Sequence, residues 1–288
     1  MAIPQNTPLR IGFVDDALDN FHANTYLAAL RGPLADRGYV VAGATALAGE
    51  AAKQWCHAKQ VEWFESVDAL AAEVDVFAIL APSTPETHWR LCERVLPHGK
   101  PTFVDKTFAP DIATAEKIFA LADQHGVAVQ TTSALRTTNV QAEVAKLTEP
   151  LVNLSQWAGG ASFAEYGIHP VELAVSCLGP EAQRVYVTGA DRHPTIVIDF
   201  SGGRVATIDF NAGEWTPFDT VLTTAKGSKP VTVVDTTLFV DAARAILDFF
   251  DAALRGDGPL IDRAETFAVM RILEGVASPA ARVKPLEI

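Results

Sequence analysis

The chain has 288 residues, 49% of them hydrophobic and 20% charged, which supports a buried core sufficient for two ordinary domains and excludes a disordered polymer. A formal net charge of −12 repels phosphate backbones and anionic lipid surfaces, so neither a nucleic acid nor a membrane is an expected partner. No uncharged apolar run reaches the roughly 18 residues of a membrane helix.

Short β-rich runs alternate with helical patterns through the first half. Arg10–Val14 reads as a strand, Asn20–Arg31 as a helix and Tyr39–Gly43 as a second strand. Leu47–Cys56 is helical, Val61–Phe64 a short strand and Val67–Glu73 a short helix. Val74–Leu80, almost continuously apolar, is a strand buried on both faces. A helix over Thr84–Leu96, a strand over Thr102–Val104, a helix over Asp111–His125 and a strand over Val127–Gln130 complete the half. Alternation of this kind predicts an α/β, doubly wound, Rossmann-like parallel sheet over residues 1–133.

The pattern then changes. Val140–Leu147 is helical, Leu151–Trp157 strand-like, and Ala164–Cys177 reads as one helix. Five β-rich runs follow: Gln183–Thr188, Pro194–Phe200, Arg204–Asn211, Asp219–Thr224 and Val231–Thr236. Gly202-Gly203 marks a hairpin between two of them. Helices over Phe239–Leu254 and Arg263–Val276 close the chain. Strands in series predict an α+β domain over residues 134–288 with an open, mostly antiparallel sheet.

A first strand that feeds a helix carries G-x-G-x-x-G when its turn binds a dinucleotide. Here Gly12 lies inside the strand and the turn reads Asp15-Asp-Ala-Leu-Asp-Asn20. Asp15, Ala17 and Asn20 stand where glycines would, and Asp16 and Asp19 add carboxylates. Asp19 is expected to cap the following helix. Like charges about 5 Å apart cost roughly 3 kcal/mol per pair at an effective dielectric near 20, so the turn is an obstacle to a pyrophosphate. The second strand ends Gly43-Ala-Thr-Ala46 without the acid that takes a ribose hydroxyl, although Thr45 can hydrogen-bond one. His22 follows the turn.

The start of the chain, Met1-Ala-Ile-Pro-Gln-Asn-Thr-Pro8, lacks a basic-then-apolar signal, so a cytoplasmic location is expected. Cys56, Cys92 and Cys177 are widely spaced and read as buried free thiols rather than a disulfide framework or a zinc site.

Two segments carry a resemblance. Gly99-Lys-Pro-Thr-Phe-Val-Asp-Lys-Thr-Phe108 is similar to a segment ending in Glu-Lys-Pro, and Glu165-Tyr-Gly-Ile-His-Pro-Val-Glu172 to Asp-x-Gly-x-His-x-x-Asp. Both belong to the glucose-fructose oxidoreductase/inositol dehydrogenase/rhizopine catabolism (Gfo/Idh/MocA) family, which the chain resembles over nearly its whole length. The resemblance implies Lys106, His169 and Glu165 as the catalytic group, with Glu for Asp at 165. On one continuous helix Glu165, His169 and Glu172 would share a face. It also implies that Ala81, Pro82, Ser83, His88 and Asp105 border the cofactor together with Asp15, Asp16, Ala17, Leu18 and Asn20. Arg136 and Glu172 join Lys106 and His169 as substrate contacts.

The implied activity is hydride transfer between NAD or NADP and a secondary hydroxyl or ketone of a sugar, polyol or related small molecule. His169 would take the hydroxyl proton and Lys106 would stabilise the alkoxide. Two other readings stand beside it. One is a non-catalytic ligand-binding or regulatory protein on the same fold. The other is a lyase or isomerase without a dinucleotide, with a metal held by Asp15, Asp19 and His22 or by Glu165, His169 and Glu172. The resemblance also implies a homo-oligomer, dimer or tetramer, joined through the open face of the second sheet, although that face's alternation would equally suit covering the domain's own helices.

Overall fold

The computed structural model describes residues 7–288. Residues 1–6, most of the segment read for a targeting signal, lie outside the described part. The chain forms two compact units. One comprises residues up to Thr132 together with Phe239–Ile261, and the other Ser133–Leu238 with Asp262–Ile288.

The first unit opens with strand β1 (Leu9–Asp15), helix α1 (Phe21–Arg31), β2 (Tyr39–Ala46), α2 (Gly49–Lys59), α3 (Val67–Ala71) and β3 (Val76–Ile79). It continues through α4 (His88–Val95), β4 (Thr102–Val104), α5 (Ile112–His125) and β5 (Val129–Gln130). The sheet is parallel, in the order β2-β1-β3-β4-β5. The run expected as a strand at Val61–Phe64 contributes one parallel bridge, Trp63 to Ala44, outside β2. Successive strands therefore proceed to one side of β1 and then cross to the other, and the reversal falls between β1 and β3. In open α/β sheets a ligand crevice forms at that reversal, beyond the carboxyl ends of the strands.

Helix α1 begins where Asn20 turns its side-chain oxygen onto the Ala23 N–H at 2.9 Å. Helix α5 begins in the same way at Asp111, whose carboxylate accepts from Thr114, and ends at Gly126 in a left-handed conformation that glycine adopts without steric cost. Both faces of the sheet are covered. Ile11, Phe13, Leu27, Leu30, Trp55 and Phe103 are buried in one core.

A helix after the second sheet completes this core. Helix α9 (Leu238–Arg255) places Phe249 and Phe250 with no exposed surface among these residues. Burial of each such side chain contributes roughly 1.5–3 kcal/mol. Polar contacts fix it: Arg37 reaches Asp248 at 2.9 Å and Asp251 at 2.8 Å, and the Tyr39 hydroxyl donates to Asp251 at 2.7 Å. A split of the chain at one point near residue 133 would place this helix with the second half. Its apolar face instead packs with α1 and β2 of the first.

The second unit contains α6 (Asn139–Val144), β6 (Asn153–Gly160), α7 (Phe163–Tyr166), α8 (Ile168–Leu178) and strands β7 (Ala182–Ala190), β8 (His193–Phe200), β9 (Arg204–Ala212), β10 (Asp219–Thr224) and β11 (Gly227–Thr232). Helix α10 (Arg263–Ala277) and the short β12 (Leu286–Glu287) follow. The sheet order is β11-β10-β6-β9-β8-β7-β12. All neighbours are antiparallel except β6 and β9. The Gly202-Gly203 hairpin joins β8 to β9, with both glycines at positive φ. Along β8 burial alternates strictly, so one sheet face lies on the core formed with α8 and α10. The other carries Trp157 and Val221 exposed.

Candidate functional site

The turn after β1 lies at the strand reversal of the first unit. Asp15 has no exposed surface. One of its carboxylate oxygens accepts from the Asp16 N–H at 2.7 Å and the Ala17 N–H at 3.3 Å, and the other from the Asn20 side-chain amide at 2.9 Å. Asn20, not Asp19, is the helix cap. Asn20 carries both a donor for Asp15 and an acceptor for Ala23, whereas Asp19 stands exposed and accepts from Asn24 at 3.2 Å. Leu18 is buried with φ of 49° and Ala17 is exposed. Asp16, half-buried, accepts from the Thr84 hydroxyl at 2.6 Å, which ties the β1 turn to the loop after β3.

Burial pushes the Asp15 carboxyl up to about 7, helped by its hydrogen bond to Asp16. Burial opposes ionisation of Asp16 as well, but hydrogen bonds from Asp15 and Thr84 outweigh it and hold this carboxyl below its ordinary value. The surroundings thus favour the proton on Asp15 and the charge on Asp16.

The loop after β3 places Ala81 at φ 35° with no exposed surface, Pro82 buried and Ser83 exposed. A non-glycine residue in the left-handed region costs of order 1 kcal/mol, and such positions cluster at ligand sites. The Lys106 ammonium, just past β4, donates to the Pro82 carbonyl at 2.9 Å. Asp105 is fully buried. It accepts the Lys106 N–H at 2.8 Å and faces His22 Nδ1 at 2.5 Å. The peptide bond between Lys106 and Thr107 is cis. His88, expected beside a cofactor, is buried with its ring nitrogens facing the carbonyls of Phe108 at 3.0 Å and Ala81 at 3.1 Å. It braces the β3 loop against the segment after Lys106 and offers no face to a ligand. A cleft of about 390 Å³ opens past β2, lined by Thr45, Ala46, Leu47, Ser66, Leu91 and Arg94 among others.

The second unit gathers another set. Arg136, in a turn before α6, pairs with Glu265 of α10 and stands 3.9 Å from Glu172 of α8. Glu172 is buried and accepts the Ser133 N–H at 2.7 Å. The expected substrate contacts Arg136 and Glu172 are thus engaged in a network that locks this turn onto two helices. His169 is buried on α8, with its ring centroid 6.0 Å from that of Tyr166 and 6.4 Å from that of Phe218. The single helix expected over 164–177 is broken into α7 and α8 at Gly167. A Cβ there would lie 2.5 Å from the Phe163 carbonyl oxygen. Glu165 is exposed on α7, whereas His169 and Glu172 are buried, so the three do not share one face.

The thiols of Cys56 and Cys92 are buried as expected, but Cys177 is only half-buried. Burial pushes Cys56 and Cys177 up to about 11 and Cys92 higher. Among the described residues no three or more His, Cys, Asp or Glu side chains converge on a metal-binding geometry. The Asp15–Asp19–His22 set is dispersed because each member faces a different partner. No helix among the described residues is long and apolar enough to cross a membrane.

Three contributors carry no clear sequence signal: Thr84 lies in a stretch that reads as a helix, and Ser133 and Glu265 lie in segments with no motif. An Asp-Asn pair five residues apart around a turn was the one local signal that Asn20 could serve both Asp15 and α1.

The five parallel strands, the crevice between β1 and β3 and the lysine past β4 define a Rossmann-type domain of the NAD-binding oxidoreductase class. Residues 20–133 match the model of the GFO_IDH_MocA oxidoreductase family with its NAD-binding Rossmann fold. Among curated proteins none matches. Among solved structures, GenD2 from gentamicin A biosynthesis, in complex with NAD, is similar at 14% identity and TM-score 0.81, over 100% of this chain and 99% of that one. A probable dehydrogenase from Thermotoga maritima is similar at 13% identity and TM-score 0.82, over 97% and 98%. The UDP-N-acetylglucosamine 3-dehydrogenase GnnA from Acidithiobacillus ferrooxidans is similar at 18% identity and TM-score 0.74, over 95% and 98%. At these identities the likeness establishes the fold.

The residues present fit a nicotinamide dinucleotide, with one restriction. The strand reversal supplies the crevice, and the cleft past β2 supplies room beside the Thr45 hydroxyl. The N–H groups of Phe21 and His22, in the first turn of α1, take no acceptor among the described residues and favour an anion. The restriction is that the N–H groups of Asp16 and Ala17 are already taken by Asp15.

Proposed function

We propose that the protein is an NAD(P)-dependent oxidoreductase acting on a secondary hydroxyl, or the corresponding ketone, of a sugar, polyol or related small molecule. The observation that carries this reading is Lys106. Its ammonium is held by a main-chain carbonyl at the carboxyl edge of the parallel sheet, within the segment that matches the family. When bound, the nicotinamide ring supplies the hydride acceptor or donor.

The chain's own residues supply the rest. Oxidation of an alcohol requires that its O–H proton leave as the C–H hydride departs. The imidazole of His169 is the group proposed to take it. The Lys106 ammonium stabilises the alkoxide as its charge develops. Asp105, fixed by His22 and by the Lys106 N–H, holds the lysine backbone in place. Glu165 is removed from the catalytic group, because its carboxylate stands in solvent. Phe21 and His22 offer main-chain donors to the pyrophosphate, and Thr45 offers a hydroxyl to the ribose. The sugar-directed dehydrogenase among the similar structures supports the substrate class.

Titration with NADH and NADPH, followed by energy transfer from tryptophan, tests the reading directly. Saturable binding supports it, and its absence up to millimolar cofactor overturns it. The occupation of two turn N–H groups by Asp15 favours, as a second reading, a ligand-binding protein without catalysis. Saturable cofactor binding without turnover on any sugar or polyol would select that account. We propose further that two or more copies associate through the second-sheet face that exposes Trp157 and Val221. Trp157→Glu should then yield a smaller species in sedimentation.

A further inference from the structure

In a glycine-type dinucleotide turn the main-chain N–H groups after β1 point at the ligand's pyrophosphate. Here the equivalent groups point at a carboxyl of the chain itself. Asp15 takes the N–H groups of Asp16 and Ala17, and its second oxygen takes the Asn20 amide. Asn20 in turn caps α1. Asp15 is thereby bound as an anion is bound in a nest of N–H groups, with no exposed surface.

We propose that Asp15 is a built-in anion seated in the phosphate cradle, and that dinucleotide affinity is governed by whether this carboxyl carries its charge. The inference rests on the dinucleotide reading above and adds to it a determinant that opposes binding.

The charged and titratable groups around the turn are few. Asp16 shares the turn, is bonded by Thr84 and keeps its charge. Asp19 is exposed and held by Asn24. On α1, His22 faces Asp105. Beyond β3, Asp105 and Lys106 engage each other and Pro82. From β2's side the turn meets main chain, with the Leu47 N–H on the Asp15 carbonyl at 3.1 Å and the Ala48 N–H on that of Asp16 at 2.8 Å. None of these puts a cation on Asp15. With burial raising the Asp15 carboxyl to about 7, its charge changes across the neutral range. Below that value the group is neutral, holds the N–H donors more weakly and no longer repels the phosphates. Above it the carboxylate competes for the same donors and repels the phosphates. Binding therefore weakens as pH rises, toward tenfold per unit where one proton is taken up with the ligand.

The experiment is a fluorescence titration with NADH from pH 6.0 to 8.5 for the full chain, Asp15→Asn and Asp19→Asn. The wild type should lose more than tenfold in affinity across the range. Asp15→Asn should be nearly flat and bind at least tenfold tighter at pH 8.5. Asp19→Asn, which removes the same charge from an exposed site, should follow the wild type. Calorimetry of the wild type at pH 7.5 in buffers of different ionisation enthalpy gives an independent reading, and uptake of about one proton on binding NADH is expected. This decides the matter even if Asp15→Asn does not fold. A flat wild-type profile, absence of proton uptake, or an Asp15→Asn protein no tighter than wild type overturns the proposal and leaves the dinucleotide reading standing. Absence of NADH and NADPH binding by every form at pH 6.0 overturns both.

Discussion

Replacing Asp15 by Asn should change how stability depends on pH. The carboxyl is fully buried and its pKa stands at about 7 against an ordinary 3.8. A carboxyl raised on folding favours the folded state while protonated. That contribution is complete below pH 3.8 and is lost as pH climbs through about 7. Integrating the linkage between pH 5 and pH 8 gives a loss of about 2.6 kcal/mol from this group. Asparagine has the same shape, keeps an acceptor for the Asp16 and Ala17 N–H groups and cannot ionise; its amide nitrogen faces the Asn20 amide donor, a cost that does not change with pH. The stability of Asp15→Asn relative to wild type should therefore rise by about 2.6 kcal/mol between pH 5 and pH 8. Urea unfolding of both proteins at several pH values, followed by amide exchange in β1 and α1, measures it. Because every other carboxylate titrates in both proteins, the difference isolates the Asp15–Asp16 pair. A relative stability that is constant from pH 5 to pH 8, or that falls, would refute the argument that burial rather than hydrogen bonding sets this carboxyl.

Lys106→Ala and His169→Ala should each lower kcat by at least about a hundredfold, while Glu165→Gln stays within about threefold of wild type. Steady-state kinetics on an identified sugar or polyol measures this, and under the proposed mechanism the double variant should cost less than the product of the singles. His22→Ala leaves the buried Asp105 carboxylate without its imidazole and should cost about 1–3 kcal/mol of stability. His22→Gln, which can still donate, should recover part of that loss in the same unfolding assay. Phe250→Ala should destabilise the first unit by about 3–5 kcal/mol, with faster amide exchange in β1 and β2. Normal stability in this variant would show that α9 does not belong to that core.

Much of the fold was legible in the sequence because it follows from periodicity. The apolar run across β3 and the alternation along β8 and β9 each prescribe a strand buried on two faces or on one. The alternating first half and strand-rich second half distinguish the two units. Asp111 before a helix and Gly126 after one are local signals, and the structure uses both as caps. Cap choice at α1 was not legible. Asp19 and Asn20 are adjacent and either is a good cap, but only Asn20 can also donate to the buried Asp15. The helix over 164–177 looked continuous because Gly167 is tolerated in helices. At the break a Cβ would lie 2.5 Å from the Phe163 carbonyl oxygen, so the junction requires glycine.

The parallel sheet, the mostly antiparallel one and the motif around Lys106 follow from residue type and spacing along a few turns of chain. The sequence also shows that three glycines are missing from the β1 turn. Only the tertiary structure decided what fills that place. Asp15 meets Asn20 and the turn's N–H groups through the fold of the turn, beside an aspartate anchored by Thr84, a residue 68 positions from that aspartate. The same holds for α9, which completes the core of a unit that most of its sequence neighbours leave. Burial and ionisation depend on which distant groups surround a side chain, and no local pattern encodes those neighbours.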